Sequence, residues 1–282
     1  MINAIITHKD ETLIVKFPME LYQLYRELNG IGVNKAPYKI NLTDEENGIG
    51  VKLYSDNDFG NHLIRLLKEM DSLEDLHTLV GAINNAPDAV KEQLEEYVLY
   101  AQLDSKEELY NTIKEIKEII APIVTTFYCP LTAQLHENEY GDMEDVGNEY
   151  LRQYMYEIEE AVERDQSPDF EMADYITDHP TANAKLIMAV WSVDMVDGTL
   201  YGRIDCRSAE AFTPEEIEAI KDGISGQNSD GFGEGFEQRP IKTDEGDLYV
   251  SFWHSGNDYF IHTQDEMDEY INQSNGLKMG GM

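Results

Sequence analysis

IGVKLYSDNDFGNHLIRLLKEMDSLEDLHTLVGAI, residues 49–83, changes its hydrophobic period partway through, and that change decides the fold class. Ile49 to Tyr54 reads as a strand. From residue 58 the period moves from two to 3.6, with Leu63, Leu66, Leu67 and Met70 on one helical face and Leu73, Leu76, Leu79, Val80 and Ile83 on the next. Upstream, residues 2–7 and 12–17 are Ile- and Val-rich runs around the turn-like Lys9-Asp10-Glu11, which predicts a hairpin. Pro18 opens a helix through Leu21, Leu24 and Leu28 that ends at Asn29-Gly30. Tyr38 to Leu42 is a further strand candidate, joined to Ile49 by the acidic turn Asp44-Glu45-Glu46-Asn47-Gly48. Downstream, Val90, Leu94, Tyr97 and Val98 make a third helical face after Pro87. Ser105-Lys106-Glu107-Glu108 has the form of a capping box opening a fourth, with Leu109, Ile113 and Ile116 inward.

The pattern changes again near Glu118 to Pro122. IVTTFYCPLTAQLH (123–136) is β-rich and leads into a long helix beginning near Asp142. Leu186 to Met195 and Leu200 to Cys206 are strands around the turn Val196-Asp197-Gly198-Thr199. Thr213-Pro214-Glu215-Glu216 starts a helix, since Thr caps, Pro suits the first turn and Glu216 answers the cap. Strands at Leu248 to Trp253 and Tyr259 to Thr263 precede a helix near 264–272 and a loose tail. The expectation is an α+β chain of two or more small acidic domains, each a small, mostly antiparallel sheet with helices. The boundaries fall at 1–118, 119–274 and a flexible 275–282.

Charge dominates the composition: 56 Asp and Glu against 21 Lys and Arg give a net charge of −35 over 282 residues. Hydrophobic residues at 41%, with 17 Tyr, exclude the low-hydrophobicity disordered class, so the charge sits on folded domains. Cys129 and Cys206 are too few and too separate for a disulfide framework, which fits a reducing cytoplasm. The N-terminus has no signal-peptide pattern and no window approaches eighteen apolar residues, so neither secretion by that route nor membrane spanning is expected.

A self-repelling charge of this size opposes compaction while steering the protein toward basic partners. The most extensively basic protein surfaces are those that bind nucleic acid, where Lys and Arg meet phosphates. Carboxylates displayed in place of phosphates would occupy such a groove. Residues 1–118 hold 22 acids and 12 bases, residues 119–282 hold 34 and 9, and residues 141–180 alone hold 13 acids with only Arg152 and Arg164 as bases. Taken as one helix, residues 142–165 would be about 36 Å long at about 1.5 Å per residue. Asp142, Glu144, Asp145, Glu149, Glu157, Glu159, Glu160, Glu163 and Asp165 would lie along it. That is roughly one charge per 4 Å against about one per 1.7 Å of duplex DNA, so mimicry needs a second acidic row. Asp169, Glu171, Asp174 and Asp178, or a symmetry mate in a homodimer, would supply it. Asp44, Glu45, Glu46, Asp56 and Asp58 form a second patch. The plainer alternatives are a solvated helix face backed by Val146, Tyr150, Leu151, Tyr154, Ile158 and Val162, and a halophilic surface, against which Lys outnumbers Arg.

LIVKFPMELYQLYRELNG (13–30), NHLIRLLKEMDSLEDLHTLVGAI (61–83) and SKEELYNTI (105–113) together resemble ArdA-type antirestriction proteins, over about 40% of the chain. YCPLTAQL, SGQNSDGFGEGFEQRPIKT and LYVSFWHSGNDYFI resemble an acidic module carried by similar mobile-element proteins. The first resemblance implies an elongated acidic protein, typically dimeric, that copies bent B-form DNA in the DNA-binding groove of type I restriction-modification enzymes. This chain departs from that plan in its length and in carrying its densest charge outside the resembling part.

Enzyme readings are weaker. Gly231, Gly233 and Gly235 follow a helix instead of a strand, and Asp230, Glu234 and Glu237 would repel a phosphate. Asn228, Asp230 and Glu234 lack EF-hand spacing, and His136, Glu137 and Glu139 near Asp142 sit in a polar turn. No HExxH pair occurs, neither cysteine has a sequence-local partner, and 56 acids guarantee accidental carboxylate pairs. The expected function is therefore non-enzymatic, without cofactor, metal, membrane or direct nucleic-acid contact. The protein would act as a DNA mimic on a DNA-binding enzyme's basic groove, or alternatively as an acidic adaptor whose charge serves solubility only.

Overall fold

A computed structural model describes residues 2–42, 48–100, 103–136, 143–166, 173–226, 240–251 and 261–279. The chain is α+β and divides into two compact units, Met1–Ile120 in the first and Ala121–Gln166 with Glu171–Met282 in the second.

In the first unit β1 (Ile2–His8) and β2 (Glu11–Lys16) form the expected hairpin around Lys9, whose φ of 56° closes the turn. β3 (Ile49–Ser55) pairs antiparallel with the other side of β1, giving the order β2-β1-β3. The inner face carries Ile2, Ala4, Ile6 and Val15 at full burial. Against it pack α1 (Leu21–Gly30) through Leu24 and Leu28 and α2 (Asp58–Leu66) through Leu63 and Leu66, within the same apolar core. α3 (Leu73–Asn85), α4 (Asp88–Tyr100) and α5 (Lys106–Ile120) complete that core.

Three local expectations fail here. Tyr38 to Leu42 is no sheet strand: Pro37–Lys39 is a 3-10 turn and only Asn41 bridges, to Ser72. Pro37 fixes its own φ and suits such a turn, and β1 is already paired on both sides. α2 ends at Leu66, so Met70 lies beyond it and is exposed. Tyr97 also faces out, because α4 buries a single ridge of Val90, Leu94 and Val98.

The second unit has two four-stranded antiparallel sheets, β11-β4-β8-β7 and β6-β5-β10-β9. β4 (Ile123–Pro130) lies in the first and β5 (Thr132–His136) in the second, so one passage of chain, broken at Leu131, links them. β7 (Leu186–Val196) and β8 (Thr199–Ser208) form a long hairpin around Asp197 and Gly198, both at positive φ. That pair matches a two-residue turn of the twist hairpins favour. The Asn148 side chain clamps this turn, donating to the Gly198 carbonyl at 2.6 Å and accepting from the Leu200 N–H at 2.8 Å. β6 (Met143–Asp145), β9 (Ile241–Lys242), β10 (Asp247–Ser251) and β11 (His262–Thr263) are short. α6 (Asn148–Leu151), α7 (Met155–Asp165), α8 (Ala173–Ile176), α9 (Pro180–Lys185), α10 (Pro214–Gly226) and α11 (Gln264–Met279) follow in chain order, with a 3-10 turn, Arg152–Tyr154, joining α6 to α7. Trp191, Phe127, Ile158 and Ile220 meet in the core.

The long helix expected over 142–165 is corrected. Residues 143–145 form an edge strand, the extended Gly147 (φ −81°, ψ 167°) caps the short α6, and a break at Tyr154 (φ −113°, ψ 22°) restarts the chain as α7. The strand wins because Gln134 donates to Asp145 at 2.9 Å and the Val146 N–H reaches the Ala133 carbonyl at 3.0 Å. The tail is corrected as well: α11 continues through Gly276 to Met279, in a stretch without proline to stop it.

Candidate acidic interface

α7 buries Ile158, Ala161 and Val162 and turns Glu157, Glu160 and Glu163 outward, with Glu159 on the flank. Spaced three residues apart, these carboxylates recur about every 4.5 Å and together span roughly 9 Å of the helix. Exposed Tyr156 joins the row by donating to Glu160 Oε1 at 2.9 Å. That hydrogen bond, backed by the charges of Glu160, Glu163 and Glu157, holds the Tyr156 phenol above the usual tyrosine range. The phenol thus registers the negative potential of the row. Arg164 is the cation at its C-terminal end, where the helix dipole favours one.

The other expected acids are scattered. Glu144, Asp145 and Glu149 are exposed on β6 and α6, and Arg152 pairs with Glu149. Asp178 is exposed in the loop before α9. Asp165 ends α7 and Asp174 lies in α8, with backbone placement only. Asp142, Asp169, Glu171, Asp44, Glu45 and Glu46 lie outside the described residues, as do Asn228, Asp230 and Glu234. Asp56 and Asp58 flank Asn57, whose side chain caps α2 by accepting from the Gly60 N–H at 2.8 Å. Asp58 sits in the first turn of α2, a position the helix dipole favours.

The sparse cations explain how so many acids stay unneutralised. Three helices open with reciprocal capping boxes, and in each the acid also takes a lysine from another element. Asp75 accepts from the Ser72 N–H at 2.9 Å and from Lys106 at 2.9 Å, while Lys106 also holds Asp71 at 2.8 Å. Glu216 accepts from the Thr213 N–H at 2.8 Å and from Lys185 at 2.7 Å. Glu266 accepts from the Thr263 N–H at 2.8 Å and from Lys221 at 2.7 Å. The Lys185 bond, helped by the Thr213 N–H, draws the Glu216 carboxyl down to about 2. Arg203 is held between Asp205 at 3.0 Å and Asp194 at 3.7 Å on β8 and β7. These cations stabilise helix starts and a sheet.

Two features escaped sequence reading. α4 presents Asp88, Glu92, Glu95 and Glu96 outward, and α11 does the same with Asp265, Asp268 and Glu269. Acids at four-residue spacing opposite Val90, Leu94 and Val98 were the available signal for α4. Conversely, the outer face of the β2-β1-β3 sheet carries no carboxylate. The register places Thr12, Ile14, Lys16, Asn3, Ile5, Thr7, Gly50, Lys52 and Tyr54 there. Ile14 is 63% exposed.

Among the described residues no group of three or more His, Cys, Asp or Glu is placed to hold a metal ion, and no helix is long and apolar enough to cross a membrane. Cys129 and Cys206 are fully buried, and burial pushes both thiols far above the usual range, away from nucleophilic use. Comparison of the chain with protein-family models, curated proteins and solved structures returned no match.

Proposed function

We propose that this protein is a non-enzymatic inhibitor that presents carboxylates to the basic DNA groove of a DNA-binding defence enzyme, of which a type I restriction-modification enzyme is the first candidate. The observation that carries the proposal is the pairing of Lys106, Lys185 and Lys221 with capping-box acids. With those cations fixed at helix starts, the outward rows of α7, α4 and α11 stay acid-rich toward a partner, with Arg164 at the end of α7 and Lys91 on α4 as the cations of the first two. A folded apolar back holds each row in register, so contacts with Lys and Arg form without ordering a flexible segment. The restriction-modification target rests on the ArdA-like spacing of residues 13–30, 61–83 and 105–113.

Each carboxylate contact replaces a phosphate contact, so inhibition is competitive with DNA and falls steeply with salt. Competition between the full chain and a DNA duplex for a type I restriction enzyme, at low and high salt, tests this. Displacement of DNA at low salt, relieved at high salt and by E157Q/E160Q/E163Q, supports the proposal. No displacement at any salt removes that enzyme as the target.

A further inference from the structure

We infer that α4 is a docking helix whose occupant is an arginine-bearing groove with an apolar recess at one end, a reading that rests on the basic partner proposed above. α4 is held by one ridge, Val90, Leu94 and Val98, packed within the core of the first unit. Directly opposite, at four-residue spacing, stand Asp88, Glu92, Glu96 and Tyr100, with Glu95 and Leu99 alongside. The face therefore changes character along its length. Its first three turns are carboxylate, with Lys91 as the cation, engaged at 3.5 Å by Asp88. In its last turn Leu99, 37% exposed, and Tyr100, 83%, continue the acidic face, while Tyr97, 48%, lies on its flank beside Tyr100, about 100° round the helix from Glu96.

Charge and ring chemistry together select the occupant. Carboxylates at Glu92, Glu95 and Glu96 call for cations, and the last turn of α4 has no basic residue of its own at the negative pole of the helix. A lysine would satisfy the charge but prefers full hydration. A guanidinium is more weakly hydrated, takes carboxylates in bidentate fashion and stacks on aromatic faces, so it suits the Glu96 carboxylate set one turn from the Tyr100 ring, with Tyr97 flanking that ring. Leu99 then seats against whatever apolar surface lies beside the arginine.

Titration of the full chain with octa-arginine and octa-lysine, at low and moderate salt, tests the inference. Wild type should bind octa-arginine roughly two- to fivefold more tightly than octa-lysine, the size expected of a solvent-exposed cation–π contact. Y97L/Y100L keeps apolar area but removes the ring faces, and it should bring the ratio toward one. E92Q/E95Q/E96Q should weaken both peptides alike. Y22L/Y25L, on the exposed face of α1 beside Arg26, should leave the ratio unchanged. A wild-type ratio of one, a ratio untouched by Y97L/Y100L, or an equal fall in Y22L/Y25L overturns the docking role of α4. Failure of both peptides to bind at low salt instead overturns the basic partner itself.

Discussion

Replacing Lys106 with Met strips the first unit of its most enclosed charge cluster. The Lys106 side chain is 11% exposed, and its ammonium lies 2.8 Å from Asp71 and 2.9 Å from Asp75. Asp71 is nearly as enclosed as the lysine, so losing its cation costs about 2 kcal/mol, somewhat below the range for a fully buried broken pair. Asp75 is half-exposed and still bonded to Ser72, so its share is about 0.5 kcal/mol. At about 2.1 cal/mol/K per residue for a unit of about 120 residues, a loss of 2.5 kcal/mol lowers the midpoint by roughly 10 °C. Both tryptophans, Trp191 and Trp253, belong to the second unit. Calorimetry should therefore show the drop while the tryptophan-fluorescence transition stays in place. D71N/K106M should recover part of the loss by neutralising the stranded carboxylate. The pH dependence has a definite sign. Asp75 is drawn below its ordinary 3.8 despite its partial burial, by the Ser72 N–H and by Lys106. Its contribution is full above 3.8 and lost as pH falls further, so the wild-type advantage over K106M shrinks in acid. A cost under about 0.5 kcal/mol at neutral pH, or a double variant less stable than K106M, would refute the reasoning.

Other outcomes follow from single features. Glu216, drawn from 4.5 to about 2 by Lys185 and the Thr213 N–H, adds stability above 4.5 that disappears as pH approaches 2. Urea titrations of E216Q between pH 6 and 2.5 should lack that component. A β-carbon on Gly223 in α10 would land on the Ile176 carbonyl, with Thr177 Cα 3.1 Å away, so G223A should cost about 3 kcal/mol by denaturant unfolding. E160Q exchanges the charged acceptor that holds the Tyr156 phenol up for a neutral amide oxygen, so tyrosine titration followed by NMR should show that resonance alone moving to lower pH. E157Q/E160Q/E163Q should weaken DNA competition while leaving the melting temperature unchanged or slightly raised, since like charges at close helical spacing repel.

Elements with strong local grammar were legible in the sequence. The β1–β2 hairpin, the Leu-periodic α3, the Asp197-Gly198 hairpin and the Thr213 capping box all stand where their residue patterns place them. Misreadings arose where tertiary pairing overrode local pattern. Residues 142–165 have helical periodicity, yet pairing of β6 with β5 took Glu144 and Asp145 out of the helix and left the α7 row shorter than expected. Tyr97 has a core-like position in sequence, but α4 has only one ridge to bury. The acids of the interface were visible as composition and invisible as geometry. The capping pattern singles out Glu216 from Glu215 beside it, which faces solvent, but nothing local announces the Lys185 that encloses it.

The outer sheet face of the first unit, with Lys16 and Lys52 and no carboxylate, gives that unit an electric dipole as well as a net charge. Negative charge gathers on the helical side and the sheet carries the positive end. The field of a basic surface exerts a torque on a dipole of this kind, turning the helices forward before any side chain touches. Collisions that would otherwise arrive sheet-first are reoriented during approach, and the rate of productive encounter rises without any added contact. Neutralising Lys16 and Lys52 would make the unit more acidic yet less directional, so association could slow even as total attraction grows.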